Sequence, residues 1–173
     1  MQKVRTFVIF FTLVTIAQSG FAQKKTIWRN WKSIQLLNKT EKRPILVDIY
    51  TNWCYYCKQM QTLTYKKDSV SDYLNSKFYC MKFNAETKDS IEWNHQIFRY
   101  NPLYKISDWV IYLTKGNVVY PTTVIIPENG TPYYVQGELL PAQLEPILKY
   151  FAEGWDKKMS MDDFEKKYTA IWN

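Results

Sequence analysis

The sequence predicts an α/β fold with a mixed sheet, and three observations predict it. An apolar, β-branched run, Ile45-Leu46-Val47-Asp48-Ile49-Tyr50, leads directly into Trp53-Cys54-Tyr55-Tyr56-Cys57-Lys58, which opens a helical stretch. A second apolar run over 78–83 follows after enough chain for a helical crossover, so the two strands pair in parallel. Two further apolar runs, 122–126 and 132–136, flank Glu128-Asn129-Gly130 and read as an antiparallel hairpin.

The elements follow in chain order. Lys3 and Arg5, an apolar stretch over 7–17 and the small residues around Gly20-Phe21-Ala22 read as a secretory signal, cut at Ala22-Gln23. The apolar stretch is shorter than the roughly 20 residues that span a bilayer; an uncleaved anchor is the alternative. The predicted organisation is a signal over 1–22, an α/β domain over 23–154 and a helical tail over 155–173. Residues 28–38 predict an opening helix with Trp31, Ile34 and Leu37 at helical spacing. A charged loop over 39–43 precedes the central strand. The helix from Cys54 to about Thr64 turns Met60 and Leu63 inward, and a short helical piece follows over 69–74. Residues 91–100 alternate as a hairpin arm, with a helix as the other reading. Ser107 is an N-cap for a helix over 108–115 that Gly116 stops. Pro141 starts the closing helix over 141–152. Phe164, Tyr168 and Trp172 fall at helical spacing in the tail, which predicts one amphipathic helix packed on the domain or docking a partner.

Two cysteines separated by two residues at a strand-to-helix junction can close into a small disulfide and reopen. The first thiol lies where unpaired backbone N–H groups and the positive helix end stabilise a thiolate. That arrangement suits thiol–disulfide exchange. The spacing is also half of a zinc site, but Cys80 and His95 are single residues rather than a second pair. Haem attachment needs a His where Lys58 stands. A permanently closed staple and a copper-handling module with two soft thiolate ligands stay open on spacing alone. Of the three cysteines, Cys80 is left over within a strand and reads as a buried, inert thiol. His95, the single histidine, reads as a surface residue of the segment before Tyr120, or as catalytic if that segment folds over the cysteines.

The stretch ILVDIYTNWCYYCK, Ile45 to Lys58, resembles the active-site segment of the thioredoxin superfamily. Asp48 stands in an otherwise apolar strand, where an acid is costly to bury. It matches the family's acid beneath the disulfide, which exchanges protons with the second cysteine. Lys82 matches the strand lysine that pairs with this acid. Tyr120-Pro121-Thr122 matches the cis-proline turn that faces the cysteines, with a trans proline at a strand start as the alternative. Gly137 matches the late glycine. The resemblance implies a three-layer α/β/α sandwich with a mixed central sheet, an inserted arm plus helix over about 85–119 and a C-terminal helical extension. The long insert resembles that of exported thioredoxin-like proteins, related to the C-terminal domain of DsbD-type reductases.

By that resemblance Cys54 is the exposed nucleophile, Cys57 the resolving thiol, and Asp48 and Lys82 the proton-handling pair. Trp53, Tyr55, Tyr56, Tyr120 and Pro121 form the substrate-binding rim. The implied activity is protein-disulfide reduction without a cofactor beyond the Cys54–Cys57 disulfide; oxidase or isomerase chemistry is the alternative. Tyr-Tyr between the cysteines supplies no His to stabilise the reduced thiolate. This places the chain toward the reducing end of the roughly −270 to −120 mV range. The expected partners are protein disulfides and a membrane electron donor, with the protein a periplasmic or otherwise exported monomer. Removing Lys3 and Arg5 from the 23 basic residues leaves 21 against 16 acids, scattered without a basic stripe, so nucleic acid is not an expected partner.

Overall fold

The computed structural model describes residues 25–128 and 130–173. The predicted signal and cleavage site lie outside the described residues. Helix α1 (Trp31–Thr40) is capped by Asn30, whose Oδ1 accepts from Ser33 N at 2.8 Å. It starts three residues later than its sequence pattern suggests, because Trp28 is extended and bridges in parallel to Cys80. The inward stripe of α1 begins with Trp31 and Ile34, while Leu37 faces outward.

Strand β1 (Ile45–Tyr50) leads into α2 (Tyr55–Leu63) and α3 (Asp68–Lys77) before β2 (Tyr79–Asn84). An arm follows, made of β3 (Ile91–Trp93), β4 (Gln96–Phe98), β5 (Tyr100–Asn101) and β6 (Ile106–Ser107), and then α4 (Asp108–Leu113). Strands β7 (Thr122–Ile126) and β8 (Tyr133–Gln136) precede α5 (Pro141–Ala152) and α6 (Met161–Glu165). The main sheet has the order β2-β1-β7-β8, with β1 parallel to β2 and antiparallel to β7. The parallel pair is joined through α2 and α3, and the β7–β8 hairpin falls where the alternation placed it.

Both faces of the sheet are covered, so β1 is buried on both sides. On one face Val47 and Ile49 join Trp31 and Ile34 of α1 and Trp109, Val110 and Leu113 of α4. On the other, Leu46 joins Met60, Leu74, Leu144 and Leu148, and Cys80 is buried among them. Leu63, read as a core residue, is instead 44% exposed. The inward stripe of α2 runs through Cys57, Met60, Gln61 and Thr64, and position 63 lies beyond its edge.

The arm is a hairpin, not a helix. Asn94 and His95 adopt positive φ (51° and 61°), the backbone that a two-residue turn requires, and pair β3 with β4. His95 is exposed at that turn. Trp31 Nε1 and Gln35 Nε2 both donate to Glu92 O and fasten the arm to α1. Ser107 Oγ caps α4 by accepting from Trp109 N.

The tail is not one amphipathic helix. Gly154, at φ 70°, breaks the chain into a 3-10 turn (Trp155–Lys157), and Ser160 caps the five-residue α6. Beyond α6 the chain leaves the helical path. The freed N–H groups of Ile171 and Trp172 donate to Glu145 Oε2 at 2.7 and 2.8 Å, and Tyr168 Oη donates to Oε1 at 2.7 Å. The apolar spacing of Phe164 and Trp172 reports burial against the domain, where both sit below 10% exposure.

Candidate functional site

The N-terminus of α2 carries the disulfide. Cys54 and Cys57 are bonded, with Cα atoms 5.3 Å apart. Cys54 is itself the N-cap, and Cys57 N points at its sulfur from 3.1 Å. The sulfur that would become a thiolate therefore already accepts a backbone hydrogen bond at the positive end of the helix. Cys54 is not exposed as the sequence reading has it: each cysteine residue is 3% exposed. The exposed groups are the three rings around the disulfide, Trp53, Tyr55 and Tyr56, each more than half exposed. Trp53 meets Tyr120 edge-on at 5.8 Å, and its Nε1 donates to Glu86 Oε1 at 3.0 Å. The Tyr120–Pro121 peptide is cis, and Pro121 O accepts from Gly137 N at 2.8 Å. Gly137 has φ 91°, a backbone that side-chain-bearing residues rarely adopt.

Beneath α2 lies a polar layer. Asp48 in β1 is in register with Lys82 in β2 and Thr123 in β7. It is 1% exposed, and burial pushes its carboxyl up to about 7; the Lys82 charge and a hydrogen bond from Gln61 offset only part of that. Gln61 Nε2 donates to Asp48 Oδ2 at 2.6 Å, whereas Asp48 Oδ1 has no hydrogen-bond partner among the described residues. Lys82 acts on Asp48 through its charge, and partial burial lowers its own pKa. Its Nζ lies 5.2 Å from the centroid of the Trp28 ring and 5.9 Å from that of Tyr50. Cys80, on the same face, is held well above the ordinary thiol range by burial, which suits an inert thiol.

The structure thus brings Cys54 and Cys57 together, with Trp53 beside Tyr120 and Asp48 beside Lys82. His95 lies apart, at the turn of the arm. Two features were not singled out from sequence. Gln61 falls one helical turn after Cys57, and that spacing is the signal that could have found it. A groove of about 540 Å³ also runs between Trp53 and Tyr120 and the insert residues Tyr104, Ile106, Ile111 and Val118. No local pattern marks it, because its walls come from separate segments.

Comparison with known proteins agrees with this architecture. A family model described as a thioredoxin-like domain matches residues 32–152. A thioredoxin-fold protein from Helicobacter pylori superposes with a TM-score of 0.55 at 17% identity, covering 85% of this chain and 86% of its own. A structure described as DsbH oxidoreductase gives a TM-score of 0.51 at 15% identity, covering 78% of this chain and 89% of its own. No curated protein sequence matches the chain. With the disulfide at the tip of α2 and more than half of its length matched, the chain belongs to the thioredoxin-like domain family.

Proposed function

We propose that this thiol–disulfide oxidoreductase works in the reducing direction on protein disulfides, outside the cytoplasm. The observation that carries the reading is the closed Cys54–Cys57 pair capping α2, the helix whose Gln61 hydrogen-bonds the buried carboxyl of Asp48. In the reduced protein the Cys54 thiolate attacks one sulfur of a substrate disulfide and expels the other as a thiolate. Cys57 then gives its proton to the Asp48 carboxylate and attacks Cys54 Sγ. The Cys54–substrate bond breaks as the Cys54–Cys57 bond forms, and the second substrate sulfur leaves as a thiolate that takes up a proton. Two electrons pass from the dithiol to the substrate. A membrane electron donor restores the dithiol, and no cofactor beyond the disulfide is required. Lys82 tempers the base strength of Asp48, while Trp53, Tyr55, Tyr56, Tyr120 and Pro121 receive an extended substrate segment. Export rests on the N-terminal signal pattern and the exclusion of nucleic acid on the scattered charge, and the protein acts as a monomer.

The purified protein should reduce insulin disulfides, and Cys54→Ser should abolish that activity. Cys57→Ser should stall the mixed disulfide and retain substrate covalently. Equilibration with glutathione buffers tests the direction. A potential more oxidising than that of protein disulfide isomerase, roughly −180 mV, reverses the assignment.

A further inference from the structure

Disulfide exchange as written gives no task to Gln61, a polar side chain of α2. Gln61 lies one turn beyond Cys57, and its Nε2 is 2.6 Å from Asp48 Oδ2. It also lines a cavity of about 150 Å³ together with Cys57, Lys58 and Lys82. Asp48 does not reach that wall. Gln61 therefore hydrogen-bonds the acid and also borders the space beside Cys57. Asp48 Oδ1, buried beside it, has no hydrogen-bond partner among the described residues.

We propose that Gln61 is a positioning residue for the proton that leaves Cys57: its amide pins Asp48 through Oδ2 and leaves Oδ1 as the oxygen free to take that proton. The inference rests on the dithiol mechanism above and adds a determinant of its pH dependence. A primary amide suits this role because it donates at every pH and brings no charge of its own. A donor to the ionised carboxylate stabilises that form, so Gln61 strengthens the acid against the burial that weakens it.

The surroundings leave few competing titrations. Lys82 and Cys80 face Asp48 from β2, and Tyr65 faces it from the chain just after α2. Thr123 is its neighbour in β7, and the Lys66 charge acts on Lys82. Burial holds both Tyr65 and Cys80 neutral across the working range, which leaves Lys82, its own pKa lowered by burial, as the charged group that acts on Asp48.

The test is the pH profile of single-turnover insulin reduction by the pre-reduced protein, with carboxyl ¹³C NMR titration of Asp48 in the oxidised protein. Gln61→Leu keeps the bulk and removes the donor. The rising limb of its rate profile should move up by about one pH unit, a roughly tenfold slower turnover at pH 6. Its Asp48 titration should move the same way. Gln61→Glu places a second carboxyl against Asp48, and the pair should share a proton, moving the limb up again. A lower rate at every pH with the limb in place would mean a purely structural residue and would overturn the proposal. An Asp48 titration unmoved in Gln61→Leu would overturn it as well. Wild type inactive on insulin, with Asp48 still shifted by Gln61→Leu, would defeat the oxidoreductase reading while leaving the Gln61–Asp48 coupling intact.

Discussion

Strand β1 buries two faces, and the faces hold opposite chemistry. Toward α1 and α4 it sends Val47 and Ile49 into a packing of rings, with Trp109 edge-on to Phe83 at 4.9 Å and tilted on Trp31 at 5.0 Å. Toward α2 and α5 it sends Leu46 and then Asp48, a carboxyl that Gln61 of α2 hydrogen-bonds at one oxygen and whose other oxygen has no partner among the described residues. Every side chain on the first face contributes favourable burial. On the second face, the same burial works against a charge. One six-residue strand thus carries a stabilising surface on one side and a chemically useful, destabilising group on the other. Removing a ring from the first face and removing the Asp48 carboxyl from the second should therefore change stability with opposite signs.

The largest effect belongs to the apolar face. Trp109→Ala removes a fully buried ring that touches α1, β2 and the arm, and should cost about 3–5 kcal/mol in denaturant unfolding. The reactivity of Cys54 per folded molecule should stay unchanged. A parallel loss of thiol reactivity would show that the two faces are not separable.

Asp48→Asn should move stability the other way, and only above a certain pH. The unfolded carboxyl ionises near 3.8, whereas the folded one holds its proton up to about 7. Between these values the folded state binds more protons, so stability falls as pH rises and the full cost is present above about 7. The three-unit rise corresponds to a cost of as much as about 4 kcal/mol at pH 8 and none at pH 3. Thermal or denaturant unfolding across pH 3–8 should show this slope in the wild type and not in Asp48→Asn. The variant gains stability at pH 8 and loses the fast resolution by Cys57. A wild type with no such slope would return Asp48 to the status of an ordinary, satisfied acid.

Another buried acid shows why burial alone does not mark a site. Glu145, on α5, is 0% exposed, yet it accepts from Tyr168, Ile171 and Trp172 and so ties down the end of the chain. Among the described residues Asp48 accepts one hydrogen bond, from Gln61 of the helix that Cys54 caps. Sequence distinguishes the two only through Cys54 and Cys57, which give Asp48 its context. The strands, the closing helix and the redox pair were legible because each is a local pattern: alternation, capping, or fixed spacing. The tail was not, because Phe164, Tyr168 and Trp172 repeat at helical spacing while side-chain hydrogen bonds to Glu145 draw the chain out of a helix. The burial of Cys54 was not legible either, since a place at the start of a helix says nothing about how the folded chain covers the cap.

The apolar face also reaches the surface beside the disulfide, and there the contrast becomes one of substrate handling. Ile106, Val118 and Tyr120 pack against the ring core from below and line the groove beside Trp53 from above. A polypeptide held there by a large apolar side chain near its cysteine would gain binding that a small disulfide cannot. One such contact is worth about 1 kcal/mol, roughly fivefold in affinity. Val118→Asp should therefore lower kcat/KM for insulin disulfides about fivefold and leave turnover of a small, soluble disulfide such as oxidised glutathione unchanged. An equal fall with both substrates would locate the effect at the disulfide itself. The rings of α4 and the insert would then serve packing alone, and the division between the two faces of β1 would be complete.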